Sequence, residues 1–246
     1  MKLLMDIGNT NCTIALSDKG SILKKYFIHT SKKEVQPAAL RRLLGGRRGK
    51  IDDVVIVSVV PAFLRVFKKS ISSVLPGVKV RIVGRDIKVP IPIKYRKPEE
   101  VGQDRLVTAY AAMGLLGSPV IAIDFGTAVT MDYVNSSGAY EGGLIFPGLR
   151  LALASLSEEA ALLPSIDLRP AKSLLGKDTA SSMNNGILYG YSSMCDGIVD
   201  RFRKRLGKKL RVIATGGDAE LVSRYSRSIK KVRPDLILEG LMLLIR

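Results

Sequence analysis

Residues 3–9 read Leu-Leu-Met-Asp-Ile-Gly-Asn, and this short stretch decides how the rest of the chain is interpreted. An apolar run leads into Asp6, one residue intervenes, and Gly8 opens a polar turn before a second apolar run at residues 12–17. Gly and Asn favour tight hairpin turns, so the pattern predicts two strands joined by a hairpin. Residues 121–127 read Ile-Ala-Ile-Asp-Phe-Gly-Thr and repeat the pattern about half a chain later.

A repeat at this spacing predicts two topologically related domains that face one another across a cleft. Strands alternate with helices in both halves of the chain, which indicates an α/β fold. The best boundary is Gly117-Ser118-Pro119, which gives one domain over residues 1–117 and a second over residues 118–246. An apolar last helix, residues 236–245, can pack back on the first domain. The other predicted helices cover residues 36–44, 61–75, 104–116, 148–163, 180–206 and 219–228.

The turn that follows each Asp suits a phosphate ligand. Glycine lets backbone N–H groups come close to an anion, and a carboxylate at a strand end can meet a metal ion directly or through water. Most Asp-x-Gly sequences are plain hairpins. A binding role is favoured here because the pattern occurs twice, half a chain apart. A Walker phosphate loop and a Gly-x-Gly-x-x-Gly dinucleotide motif are both missing from the sequence.

A third candidate for chemistry is Gly102-Gln103-Asp104-Arg105, at the start of a predicted helix. First-turn N–H groups bind anions, Arg105 can clamp a carboxylate or phosphate, and Asp104 can take a proton from a hydroxyl. The alternative is that Asp104 only caps the helix. Two glycine-bearing loops, residues 141–148 and 214–217, could likewise be close-approach sites or ordinary turns.

The bulk composition narrows the possible classes of protein. Two cysteines and one histidine, His29, exclude a disulfide framework and a multi-histidine metal site. No uncharged apolar run is long enough to cross a bilayer, and a reducing cytosol is the expected compartment. The formal net charge of +17 attracts anions, with basic residues crowded at positions 41–50 and 201–211. Solvated faces are the plainer interpretation of these runs, because scarce aromatic residues make single-strand stacking poor.

In order and spacing, the motifs together resemble those of the type III pantothenate kinases. The resemblance includes the two Asp-x-Gly stretches, residues 102–105 and the two glycine-bearing loops, and it extends over nearly the whole chain. It implies ATP-dependent phosphorylation of pantothenate, the first step of coenzyme A synthesis. It also implies two ribonuclease-H-like domains of the actin and sugar kinase type, a homodimer, and a cytoplasmic enzyme.

The same resemblance assigns roles residue by residue. ATP would be held by Asp6, Ile7, Gly8, Asn9, Thr10, Asn11, Cys12, Thr13 and Thr127, with Asp6 near Mg²⁺, directly or through water. Pantothenate would be held by Tyr95, Gly102, Gln103, Asp104, Arg105 and Thr179, with Asp104 as proton acceptor and Thr179 reaching across the dimer. Asp124 would ligate K⁺ or NH₄⁺.

Two other functions stay open from the sequence. The high basic charge is unusual for this family, so the runner-up is a nucleic-acid-associated accessory factor of transcription that keeps the kinase fold. A nucleotide-dependent structural module like actin fits the paired Asp-x-Gly turns but not residues 102–105. Without a groove-reading motif, only weak, non-specific binding to nucleic acid is expected.

Overall fold

The chain forms two compact units in a computed structural model that describes residues 1–30, 37–207 and 209–245. Unit 1 comprises Met1–Ile91, Lys97–Ala111 and Ile237–Arg246, and unit 2 comprises Pro92–Arg96 and Ala112–Leu236. Each unit contains its own sheet. Among the described residues, no helix is long and apolar enough to cross a membrane.

Unit 1 is built on a sheet in the order β3-β2-β1-β4-β5. The antiparallel hairpin β1–β2 continues into β3, whereas β4 and β5 run parallel to β1. The strands are β1 (Lys2–Ile7), β2 (Asn11–Asp18), β3 (Ser21–His29), β4 (Asp53–Ser58) and β5 (Lys79–Ile82).

Two helices cover one face of this sheet, α1 (Pro37–Leu44) and α2 (Pro61–Val74). The β-branched run of β4 is buried along nearly its whole length, as expected for a strand between two neighbours. Phe63 and Phe67 of α2 stack at 5.9 Å and belong to the same apolar core as Met5 and Ile14. The predicted helix over residues 36–44 is confirmed from Pro37 onward, and residue 36 lies outside the described residues.

Two further helices complete unit 1. The first turns of α3 (Gln103–Leu116) belong to it, as does most of α7 (Leu236–Leu243). A Cβ at Gly240 would come within 2.6 Å of the Val107 side chain, so α7 and α3 approach closely only because Gly240 lacks one.

Unit 2 repeats the arrangement with a sheet in the order β8-β7-β6-β9. Its strands are β6 (Val120–Phe125), β7 (Ala128–Val134), β8 (Tyr140–Pro147) and β9 (Arg211–Thr215). Its helices are α4 (Leu149–Glu159), α5 (Thr179–Leu206) and α6 (Ala219–Ser223). Helix α5 carries an apolar stripe at helical spacing, which includes Ile187, Leu188 and Phe202, and this stripe packs on the unit's own core.

The two sheets place their aspartates in equivalent registers. Asp6 pairs with Thr13 across an antiparallel hairpin and with Val57 on a parallel strand. Asp124 pairs in the same way with Thr130 and with Thr215. The repeat seen in the sequence is therefore a repeat of topology, and the predicted two-unit α/β fold is confirmed.

Two predicted helices are too long. The helix predicted to reach residue 163 ends at Glu159, and the one predicted over residues 219–228 ends at Ser223. The second ends early because the buried Asp196 of α5 binds the residues that follow. Its carboxylate accepts hydrogen bonds from Ser226 Oγ at 2.6 Å and from the backbone N–H groups of Arg227 and Ser228 at 2.8 Å each. In a helix continued to residue 228, the N–H groups of Arg227 and Ser228 would instead bond to carbonyls four residues earlier.

We predict that Asp196→Asn lowers the free energy of unfolding by about 1–3 kcal/mol, because an amide cannot accept from three donors as the carboxylate does. Burial alone would raise the pKa of Asp196, but the three hydrogen bonds outweigh it and lower the pKa. The stabilisation that the ionised Asp196 carboxylate provides should thus be complete above the pKa of an unfolded aspartate, about 4, and be lost as pH falls further.

Urea unfolding at pH 7 and pH 3.5 measures both effects. Asp200→Asn is the control, because Asp200 lies on the same helix with a side chain 47% exposed. Equal stabilities of the two variants at pH 7 would contradict this account of Asp196.

Candidate functional site

The first Asp-x-Gly turn is a rigid hairpin tip. Gly8 N–H donates to the Asn11 carbonyl at 3.0 Å. Thr30, directly after β3, donates its hydroxyl to the Gly8 carbonyl at 2.8 Å and its N–H to the Thr10 carbonyl at 2.9 Å. Asn9 is exposed at the tip, and Asp6 is half-buried at the strand end. Such a turn offers a fixed carboxylate beside exposed backbone, which suits a phosphate–metal complex.

Cys12, in the same hairpin, has no chemical role in this arrangement. It is fully buried, and burial, together with the nearby charge of Asp6, raises the pKa of its thiol to about 12. The thiol therefore stays protonated and unreactive at neutral pH. Cys12 belongs to the core beneath the hairpin, so only its backbone could face a ligand at the tip.

Two glycines create space for the side chains at the start of α3. A Cβ at Gly84, where φ is +87°, would come within 2.7 Å of the Gln103 side chain. A Cβ at Gly102 would overlap the Asp104 carboxylate, which accepts a hydrogen bond from Arg105 N–H at 2.9 Å. Gln103, Asp104 and Arg105 are each only partly buried. The structure thus fixes Asp104 at a helix start, close to first-turn N–H groups.

Two glycines of unit 2 lie against the Asp124 carboxylate, and a third packs on the turn that follows it. A Cβ at Gly216, where φ is +92°, would overlap the Asp124 carboxylate, and one at Gly126 would lie 3.6 Å from it. Gly148 N–H donates to the Thr127 carbonyl at 3.0 Å, with no room for a Cβ. The half-buried Asp124 is therefore flanked by the backbone of Gly126 and Gly216, a setting in which carbonyl oxygens and a carboxylate can share a cation.

An ion pair joins two of these loops. Arg150, in the first turn of α4, donates to Asp218 at 2.9 Å, and Asp218 N–H reaches the Phe125 carbonyl at 3.3 Å. Thr127 is exposed at the tip of the β6–β7 turn. The β6–β7 turn is therefore held by Asp218 N–H at Phe125 and by Gly148 N–H at Thr127, while Thr127 at its tip remains accessible.

Thr179 is the first residue of α5 and is exposed. Asp178 precedes it as a capping residue, accepting from Ser181 N–H at 2.8 Å, and Asp178 N–H donates in return to Ser181 Oγ at 3.2 Å. Hydrogen bonds from the Ser181 backbone and side chain lower the pKa of Asp178. This reciprocal capping fixes the position of Thr179.

Tyr95 lies in unit 2, in a short segment beside the start of β8, and its side chain is 38% exposed. The predicted site residues thus fall on five elements. The first hairpin and the start of α3 belong to unit 1, and the second hairpin, the segment with Tyr95 and the start of α5 belong to unit 2. Within the described residues, no cluster of three or more His, Cys, Asp or Glu could by itself hold a metal ion.

Sequence reasoning missed three supporting residues. Asp218 and Arg150 are distant in sequence, and no local pattern announces their ion pair. Asp178 could have been found, because Asp-Thr-Ala-Ser before an apolar helix is a capping pattern.

The fold is that of the actin-like ATPases and sugar kinases. A Sinorhizobium meliloti protein described as a 2-dehydro-3-deoxygalactonokinase has a TM-score of 0.63 and 13% identity, covering 100% of this chain and 98% of that one. Component A of (R)-2-hydroxyglutaryl-CoA dehydratase from Acidaminococcus fermentans has a TM-score of 0.56 and 15% identity, covering 99% and 95%. A Campylobacter jejuni protein described as a transcriptional activator of the Baf family has a TM-score of 0.60 and 18% identity, covering 99% and 96%.

The sequence identifies the family within this class. Residues 2–201 match the model of the type III pantothenate kinases. A type III pantothenate kinase from Syntrophotalea carbinolica is 38% identical over 250 aligned residues, covering 99% of this chain and 98% of that relative. The chain belongs to the type III pantothenate kinase family.

Proposed function

We propose that this chain phosphorylates pantothenate with ATP, the first step of coenzyme A synthesis, using Asp104 as the proton acceptor. The observation that carries the activity is the family match over residues 2–201. The observation that supports Asp104 is its position, since Gly102 leaves space for its carboxylate and a first-turn N–H holds it. The alternative of a transcriptional accessory protein is not favoured. The similarity to the Baf-family protein, at 18% identity, extends to the fold alone.

Phosphoryl transfer needs positioning and neutralisation of charge more than covalent chemistry from the protein. The attacking group would be the primary hydroxyl of pantothenate, and Asp104 would orient it and accept its proton as the bond to the γ-phosphorus forms. Gly102, Gln103 and Arg105 would hold the substrate around this point. Arg105 offers paired donors suited to the pantothenate carboxylate.

ATP would be held by both hairpins. In unit 1 this role falls to residues 6–13. Asn9 at the exposed tip can donate to phosphate, and residues 8–13 provide the surrounding backbone. In unit 2 it falls to the exposed Thr127. The half-buried carboxylate of Asp6 fits Mg²⁺, held directly or through water, and the ion would neutralise charge on the phosphates. A biosynthetic kinase of this type would work in the cytoplasm.

Replacing Asp104 should separate the chemical step from nucleotide binding. We predict that Asp104→Asn lowers kcat about 10²–10⁴-fold, because the amide keeps the shape but cannot accept the proton. KM for ATP should change no more than a few-fold. Asp6→Asn should differ and weaken the use of Mg²⁺–ATP as well.

A coupled assay for ADP, with ATP, Mg²⁺, K⁺ and pantothenate, measures both parameters. Glu100→Gln is the matched control, because Glu100 is an exposed acid four residues earlier whose partner is Lys97, at 2.7 Å. A folded Asp104→Asn variant with normal kcat would disprove the assignment.

The monovalent cation is assigned to Asp124 on similar grounds. Its carboxylate lies against the backbone at Gly126 and Gly216, where carbonyl oxygens are the natural further ligands of K⁺ or NH₄⁺. We predict that replacing K⁺ with Na⁺ lowers turnover at least about 10-fold, and that Asp124→Asn removes this dependence. The same assay in a sodium-based buffer tests it, and equal turnover with both ions would rule out the role.

The homodimer would form along α5. Gly186, Gly190, Ser193 and Gly197 follow one face of this helix at intervals of three or four residues, and all are exposed. A Cβ at any of the three glycines would meet nothing within 4 Å. Small residues on one face let two helices approach closely, and Thr179 lies at the start of the same helix. This face therefore suits a second copy better than the apolar stripe, which is already packed in unit 2.

We predict that Gly190→Leu converts the dimer to a folded monomer of 26.7 kDa, because the isolated chain has room for the side chain. Light scattering after size-exclusion chromatography measures the mass. Gly46→Leu is the control, because that glycine also has open space around it but lies far from α5 in sequence. A wild-type protein that is monomeric at micromolar concentration would contradict the proposal.

A further inference from the structure

The segment that carries Tyr95 pairs with the backbone of Tyr140. Tyr140 N–H donates to the Pro92 carbonyl at 2.8 Å, and the Tyr140 carbonyl accepts from Lys94 N–H at 2.8 Å. Residues 92–96 belong to unit 2, although the residues immediately before and after them belong to unit 1. The placement of Tyr95 therefore depends on where Tyr140 lies.

The ring of Tyr95 is also fixed from two sides. A Cβ at Gly142, where φ is +130°, would lie 3.2 Å from Tyr95 Cε2, so the ring rests on bare backbone. The ring of Tyr140 lies 6.5 Å away, between centroids, at an interplanar angle of 52°. Such tilted aromatic pairs are favourable. With 38% of its side chain still exposed, Tyr95 presents a held ring that a ligand can reach.

Tyr140 is in turn fixed by a buried acid. Its hydroxyl donates to Asp132 Oδ1 at 2.7 Å, and Thr130 donates to Asp132 Oδ2 at 3.0 Å. Asp132 is 1% exposed and Tyr140 is not exposed at all. Burying a carboxylate is costly even when it is hydrogen-bonded, and apolar residues of similar size often serve stability as well. The fold alone therefore gives little reason for an acid at this position.

We propose that Asp132 and Tyr140 are positioning residues that hold the ring of Tyr95 for pantothenate. This inference rests on the proposed function, in which Tyr95 contacts the substrate. Asp132 fixes the Tyr140 hydroxyl, Tyr140 fixes both the backbone and the ring of the Tyr95 segment, and Gly142 provides the surface beneath that ring. A ring held before binding loses less freedom when the substrate arrives, which improves affinity without changing the chemical step.

The test removes one oxygen atom. Tyr140→Phe keeps the ring and both backbone hydrogen bonds but frees the ring from Asp132. We expect KM for pantothenate to rise about 3–10-fold while kcat and KM for ATP stay within about two-fold, the pattern of lost ground-state binding. Asp132→Asn should raise KM less, because its amide oxygen can still accept from the Tyr140 hydroxyl.

The matched control is Tyr133→Phe. Tyr133 is 7% exposed and its ring packs on Phe202 at 5.3 Å, within the apolar core of the same unit. Loss of its hydroxyl measures the cost of removing a phenol oxygen from a buried ring that packs on Phe202. Tyr133→Phe should leave KM for pantothenate unchanged, even if both variants lower the melting temperature.

A double-mutant cycle decides whether the effect passes through Tyr95. Once Tyr95→Ala has removed the ring, adding Tyr140→Phe should cause no further change in KM. A full additional increase, or an increase no larger than that of Tyr133→Phe, would overturn this inference while leaving the kinase activity intact. If the wild-type protein transfers no phosphate to pantothenate, the proposed function fails first and the role of Tyr140 fails with it.

Discussion

Each Asp-bearing strand is fixed between two neighbours, and the rest of the structure depends on this pairing. β1 lies between β2 and β4, and β6 lies between β7 and β9, so neither Asp6 nor Asp124 can shift along its strand without breaking two ladders. A slip of one residue would also turn each carboxylate to the opposite face of its sheet. The glycines that follow then bring backbone close to the fixed carboxylates. Precision in this kinase begins with sheet register, because catalysis by positioning tolerates little displacement.

The sequence predicted those features that are local. The hairpins follow from Asp-x-Gly and the polar turn, and the long helix α5 follows from apolar spacing over many turns. The early end of α6 was not predictable from the sequence, because residues 224–228 fit a helical pattern. The acceptor for Ser226 and Ser228, Asp196, lies about thirty residues earlier in the chain. The contact between Tyr140 and Asp132 was hidden for a related reason, since its geometry depends on how β7 and β8 pair. Long-range hydrogen bonds to a single buried carboxylate leave no periodic signal.

The basic character of the chain fits its substrates. ATP and pantothenate are both anions, and a formal net charge of +17 raises the local concentration of anions in general. The described members of the two basic runs, such as Arg41 and Arg205, are mostly exposed side chains. Lys208 lies outside the described residues. Solvated basic faces are thus a sufficient description of these runs, and the family match provides no reason to add a nucleic acid.

The division of the chain into units limits where the protein can be split into separately expressed fragments. The polypeptide passes between the units after Ile91, Arg96, Ala111 and Leu236, so each unit is assembled from separated pieces of sequence. Two of these passages fall close to the short segment with Tyr95, and one falls inside α3. A fragment ending anywhere near the midpoint would lack α7, whose Gly240 contacts Val107, and would carry residues 92–96 without the strand that pairs with them. The two units share one pattern of strand pairing but are not separable modules of sequence. Complementation by fragments split near the midpoint would have to supply residues 237–246 together with the N-terminal half.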